Sequence, residues 1–190
     1  MPPTLKPYAT LVDFVTGREI PNVGAEENRQ SVERLLVEQK GYSREEIEVE
    51  VPIAMVIDAQ PYRSAVDLVV VVNSRRVMVF RCAAGSLASN EREIVAAARL
   101  LDRYQVPIAV VSDGRSALVY DTLSGRQTGE GLGAIPGKAG LLARFEELKF
   151  NELPGERRRR EALIFRTYDR ERVNSARRLE GRVDSFPDSG

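Results

Sequence analysis

Apolar and polar residues alternate from residue 46 onward: Ile47, Val49, Val51 and Ile53 are interleaved with Glu46, Glu48 and Glu50. A period of two is that of a strand with one face buried, so residues 46–58 read as a half-buried strand with the glutamates on its wet face. AQPY then turns the chain. AVDLVVVVN, residues 65–73, is a continuous β-branched run, the pattern of a central strand covered on both faces. NSRR turns the chain again, and VMVFRCA, residues 77–83, is a third strand.

On either side of these strands the period changes to that of a helix. In AEENRQSVERLLVEQK, residues 25–40, Val32, Leu35 and Leu36 share a face, acids fill the first turn and Gly41 follows as a stop. In SNEREIVAAARLLDRYQ, residues 89–105, Ser89 is a candidate cap, and Ile94, Ala97, Ala98 and Leu101 form the apolar stripe. PIAVVSDG and SALVYD read as two more strands, TLSGRQTGEGLGAIPG as a loop and GKAGLLARFEEL as a short helix. Residues 154–180 read as a basic C-terminal helix and 181–190 as a frayed tail. Residues 1–24, punctuated by Pro2, Pro3, Pro7, Pro21 and Gly24, read as irregular.

The short connections predict an antiparallel meander for the first three strands. The helix after the third is long enough for a right-handed crossover, which would bring the fourth strand parallel to the third. The expected fold is therefore α/β: a mixed central sheet flanked by helices, in one domain over residues 25–153 followed by the basic helix.

Composition narrows the chemistry. Hydrophobic residues make up 43% of the 190, enough for a core, and 28 basic residues balance 28 acidic ones, so nothing marks the whole chain as a basic nucleic-acid binder. There is no histidine, which removes Ser-His-Asp and Cys-His catalysis and most zinc chemistry. The single cysteine, Cys82, allows no disulfide framework and reads as a small core residue. Any metal would have oxygen ligands, favouring Mg²⁺, Mn²⁺ or Ca²⁺. The N-terminus has no basic start followed by a long apolar run, and no apolar run is long enough to span a bilayer, so the expectation is a cytoplasmic protein with no membrane partner.

The ordered series of segments resembles the N-terminal nuclease domain of type I restriction enzyme R subunits, a domain with the PD-(D/E)xK restriction-endonuclease-like fold. EENRQ (26–30) resembles the acidic start of that family's first helix and GYSREEIEVEVPI its first strand. AVDLVVVVNSRRVMVF resembles the "PD" strand and hairpin, and VPIAVVSDGRSALVYDTLSG the distal strands. The resemblance runs over roughly residues 20–165. It implies a divalent metal held by carboxylates at strand ends to polarise a phosphodiester and activate water, with a lysine beside it. It assigns Asp67 as a catalytic and metal-holding residue, with Glu26 or Glu27, preferably Glu27, as a second oxygen ligand.

The chain departs from that pattern. Aligned by distance from Asp67, the motif glutamate is replaced by Phe80 and the motif lysine by Cys82, and the crossover helix carries alanines where the family often shows a glutamine. Arg81 alternates with Phe80 and Cys82, so in that alignment it points away from the site. Whether the chain is an enzyme stays open at this point. The first reading is a stand-alone, catalytically degenerate nuclease-like protein that binds nucleic acid or assembles with a partner, needing no cofactor. The second is a DNA endonuclease using Mg²⁺ or Mn²⁺ through a rearranged site, with Asp67, Glu27 and a helix glutamate, Glu93 or Glu91. The third is a protein-interaction module that meets a partner or a second copy through the C-terminal helix.

That helix adds one more candidate. Residues 154–182 hold ten arginines against five acids, and Arg157, Arg158, Arg159 and Arg160 form an unbroken run. The run reads either as a phosphate-contacting arm for DNA or as a solvated helix face with Glu–Arg pairs.

Overall fold

The structure, a computed structural model, describes residues 9–180, with the side chains described as far as Asp169. The expected tail at 181–190 lies outside the described residues. Six strands form one sheet in sequential order: β3 (Ile47–Ile57), β4 (Gln60–Val72), β5 (Arg75–Cys82), β6 (Ile108–Ser112), β7 (Ala117–Asp121) and β8 (Arg126–Glu130). All neighbours are antiparallel except β5 and β6, which are parallel across the crossover helix α2 (Glu91–Leu100). The meander, the crossover and the mixed α/β sheet are as the sequence predicts.

Two pieces differ. Residues expected to be irregular contain β1 (Thr10–Val12) and β2 (Glu19–Pro21), a small antiparallel pair. β8 falls in the expected loop; its residues RQTGE lack an apolar face and are mostly exposed, so periodicity could not reveal it. The remaining helices are α1 (Glu26–Arg34), α3 (Lys138–Ala143) and α4 (Gly155–Glu180). α1 runs on into a π-helical turn, Leu35–Gln39, and stops at Gly41, whose φ of 79° breaks the helix.

The sheet separates two cores. On one side α1, the π turn and α3 bury Val32, Leu35, Leu36 and Leu141 against Leu68, Val70, Met78, Phe80 and Cys82. On the other, α2 and α4 bury Ile94, Ala97, Ala98 and Phe165 against Val69, Val79, Ala109 and Val111. Within β3, Ile47 belongs to the α1 side but Val51, Ile53 and Ile57 to the α2 side; within β4, Leu68 and Val70 belong to the α1 side but Val66 to the α2 side. Residues two apart in a regular strand share a face, so the β3–β4 ribbon rolls over near residues 50 and 67. Glu50, with φ 51°, marks the roll on β3. Asp67 occupies the matching place on β4, between the pairs Val49↔Leu68 and Val51↔Val66.

Candidate functional site

Asp67 is buried, 6% exposed, where the β3–β4 ribbon rolls. A carboxylate there needs partners, because burying it unpaired would cost several kcal/mol. The hairpin supplies them. Leu68 pairs with Phe80, so Asp67, one step along, lies beside Arg81. The Cys82 backbone N–H donates to Asp67 Oδ2 at 2.7 Å, and Arg81 Nη1 approaches the same oxygen at 3.5 Å. Arg81 Nε lies 3.5 Å from Oε1 of Glu93, a buried residue in the first turn of α2. One guanidinium thus links a strand carboxylate to a helix carboxylate.

A fourth group comes from α4. Asp169 is fully buried and its Oδ2 accepts a 2.6 Å hydrogen bond from the Tyr62 hydroxyl on β4. Burial works to lower the Arg81 pKa, but the charges of Asp67, Glu93 and Asp169 outweigh it and hold the guanidinium above its usual value.

This geometry corrects the alignment drawn from spacing. Phe80 and Cys82 do not share a face with Asp67; both point into the α1-side core, where burial pushes the Cys82 thiol well above its ordinary range. The residues on the face of Asp67 are Val79 and Arg81. Arg81, expected to point away, is the cation of the cluster. The physical reason is the strand period: a shift of one residue exchanges every side chain between the faces.

The helix candidates also divide. Glu93 reaches the cluster. Glu91 does not; it is near Tyr120, whose hydroxyl pKa is pushed up to about 12 by burial and then by the Glu91 charge. Glu27 is exposed, and its Oε1 accepts from Asn22 Nδ2 at 2.8 Å, so it serves the N-terminal loop rather than Asp67. Its neighbour Glu26 ion-pairs with Arg29. Burial holds the Glu26 carboxyl above its usual range, with Glu50 adding to the rise and Arg29 opposing it.

A divalent ion of the kind that the resemblance implies asks for several oxygen donors around one point. Here Val79 contributes none, and Asp67 and Glu93 are already bridged by a guanidinium. Among the described residues, no group of three or more Asp, Glu, Cys or His side chains is arranged to hold a metal. The donor set does not fit such an ion.

The arginine run of α4 has mixed roles. Arg157, Arg159 and Arg160 are exposed. Arg158 is half-buried and donates to the carbonyls of Leu100, at 2.7 Å, and Asp102, at 3.1 Å, closing the C-terminal end of α2. α4 is also tied to α2 by Arg99 and Glu161, 2.7 Å apart.

A second buried charge cluster, missed in the sequence, joins the N-terminal hairpin to α1. Arg29 Nη1 lies 2.8 Å from Asp13 Oδ2 and 2.9 Å from Glu33 Oε1. The Val15 N–H donates to Glu33 Oε2, and the Phe14 N–H to Gln30 Oε1. Its signal was the charged i, i+4 pair Arg29–Glu33 in a helix whose apolar residues begin beside it. A separate cleft of about 400 Å³ opens between β7 and α3, lined by Ile108, Val119, Leu141 and Leu148, and Asp67, Arg81 and Glu93 do not border it.

The family model described as "Type I restriction enzyme R protein N terminus (HSDR_N)" matches residues 24–136, more than half of the chain. The matched span starts just before α1 and ends past β8, so it contains the whole six-stranded sheet but not the separate N-terminal pair. The chain belongs to this family. No curated protein and no solved structure is significantly similar to it. Among the described residues, no helix is long and apolar enough to cross a membrane.

Proposed function

We propose that this R-subunit N-terminal-like domain is catalytically degenerate and acts by binding nucleic acid or by assembling with a partner. The observation that carries the reading is the position of Arg81, whose guanidinium stands between Asp67 and Glu93 at 3.5 Å from each. Nuclease chemistry of the implied type needs carboxylates free to hold a cation beside a scissile phosphate. Here Val79 takes a carboxylate's place on the Asp67 face, and a fixed organic cation neutralises the two acids that remain. A buried pair of this sort holds the hairpin to α2 and leaves little for an incoming ion to bind. The exposed Arg157, Arg159 and Arg160 support a contact with phosphates that is independent of sequence.

The test is nicking of supercoiled plasmid by the purified chain with Mg²⁺ and with Mn²⁺, wild type beside Asp67→Asn, together with DNA binding in metal-free buffer. The expected result is no metal-dependent nicking by either protein. Nicking by the wild type that vanishes in Asp67→Asn overturns degeneracy.

That outcome would support the second reading, a Mg²⁺- or Mn²⁺-dependent DNA endonuclease with a rearranged site. One observation favours it: α2 delivers Glu93 to the strand site of Asp67, as a helix-borne replacement carboxylate would require, and Arg81 supplies a positive charge on the same face.

A further inference from the structure

We propose that the free edge of β3 and the first turns of α4 form a groove for an extended, acidic peptide segment of a partner protein, which adds to the sheet as a further strand. The inference rests on the partner-assembly side of the degenerate reading and deepens it by naming the surface and the chemistry of the partner.

The edge follows from the topology. β3 is an outermost strand, with β4 as its neighbour on one side. The hairpin between them turns at Asp58 and Ala59, whose φ values of 51° and 61° are both positive, as in a two-residue type I′ turn, so Ile57 and Gln60 form a hydrogen-bonded pair. Hydrogen-bonded and non-hydrogen-bonded pairs alternate along the ladder, which turns the N–H and C=O groups of Val56 and Ala54 outward. Among the described residues nothing bonds these outward groups. Pro52, next in the outward series, has no N–H and ends the row of donors. A row of unpaired donors and acceptors is a template for another strand.

The facing wall is α4. Two adjoining hollows, of about 500 and 280 Å³, lie between β3 and α4, and Val56, Arg159 and Ala162 line both. Val56 is 71% exposed, and Leu163, which lines the larger hollow, is 44% exposed. Across such a groove, main-chain hydrogen bonds to the edge hold a peptide while the hollows select its alternate side chains.

Charge sets the kind of peptide. Arg159 is exposed in the groove, and exposed Arg63 sits opposite Ala54 in the β3–β4 ladder. Asp58, which lines the larger hollow, is already matched by Arg166 at 3.6 Å. The surplus is positive, so the complementary segment carries Asp or Glu among apolar residues. A second copy of the chain paired edge to edge would bring the same arginines to both sides of the contact. A nucleic-acid backbone offers phosphate acceptors but no donors for the outward carbonyls of Val56 and Ala54.

The experiment pans a library of random decapeptides against the full chain, then titrates the most enriched peptide, labelled with fluorescein, into wild type, Ala54→Pro and Arg159→Glu. Enriched peptides are expected to combine acidic with apolar residues. Ala54→Pro removes an outward N–H in the same register as Pro52, and Arg159→Glu reverses the charge of the groove; each should weaken binding about 10-fold or more. The same peptide N-methylated along its backbone keeps its side chains and charge but loses its donors, and it should weaken to a similar extent. If Ala54→Pro does not fold, Arg159→Glu and the N-methylated peptide, which leave the backbone of the chain unchanged, decide the matter.

A library that yields no enriched peptide overturns the proposal, as does a peptide that binds both variants as well as wild type, or whose N-methylated form binds equally well. So does capture of labelled duplex DNA, without any peptide, that is lost in Arg159→Glu and kept in Ala54→Pro, since the arginine then serves phosphates and the strand edge serves nothing. Plasmid nicking by wild type defeats the functional reading, whereas absence of peptide binding without nicking defeats this inference alone, so the two failures are distinguishable.

Discussion

Arg81 lies across the β4–β5 hairpin from Asp67 and is held between it and Glu93, while the adjacent Cys82 N–H closes on the same Asp67 oxygen at 2.7 Å. Asp67 therefore has two separable tasks, accepting a backbone hydrogen bond and balancing a buried charge. Asp67→Ala removes both and should cost about 3 kcal/mol, because Arg81 loses a counter-charge and the Cys82 N–H loses its acceptor. Asp67→Asn keeps an oxygen for the N–H and should cost roughly 1–2 kcal/mol. Urea denaturation of the two variants beside wild type checks the order; equal losses would mean that the backbone hydrogen bond contributes nothing.

Glu33 gives the fold a pH dependence. Its carboxyl is pushed up to about 7, from 4.5, by burial and then by the Asp13 charge, with Arg29 and the Val15 N–H opposing. The folded state thus holds a proton that the unfolded chain releases at lower pH. The stability from this group is complete below about pH 4.5 and is lost as pH rises through about 7. Asp13, held below its usual value although burial alone would raise it, acts in the opposite sense, its contribution failing only in stronger acid. The urea midpoint should therefore fall between about pH 5 and about pH 8 in wild type, and this fall should flatten in Glu33→Gln.

The arginine run should separate into binding and structural residues. If the chain binds DNA through α4, replacing Arg157, Arg159 and Arg160 together with Gln should lower the slope of log K against log salt by about 2–3, near 0.9 per lost phosphate contact. Arg158→Gln should leave the slope unchanged and reduce stability instead, since its guanidinium serves the Leu100 and Asp102 carbonyls. A salt titration and a melting curve on each variant decide between these roles.

Gly114, in the β6–β7 turn, lies against α1. Its φ is +81°, and a Cβ there would lie 2.7 Å from Ser31 Cβ and 3.3 Å from the Asn28 carbonyl oxygen. Gly114→Ala should cost about 1–3 kcal/mol through backbone strain and collision with the helix. Gly17→Ala is the control: φ is also positive, at +70°, but nothing lies within 4 Å, so the cost should stay near 1 kcal/mol. Thermal melts of the pair isolate the contribution of the collision.

The sequence by itself determined the order of the main elements. The alternation at residues 47–53, the apolar run at 65–73 and the helical stripes of α1 and α2 are local consequences of which side must avoid water, and short connections leave few ways to join them. Asp67 stood out for the same reason, as a charge within a run that buries itself. Glu93 was one of two helix acids that spacing could not separate; the rotation of α2 against the sheet turned it inward and left Glu91 beside Tyr120.

What tertiary structure decided was the face. Counting residues from Asp67 placed Phe80 and Cys82 at the site, but hairpin register, not distance along the chain, governs which side chains meet, and one step separates a core phenylalanine from the arginine that holds the site. The roll of the β3–β4 ribbon at Glu50 and Asp67 compounds this, because alternation no longer predicts the face beyond the roll. The same limit hid β8, whose pairing comes from its neighbour β7 rather than from its own residues, and the role of Asp169, which depends on where α4 comes to rest against Tyr62.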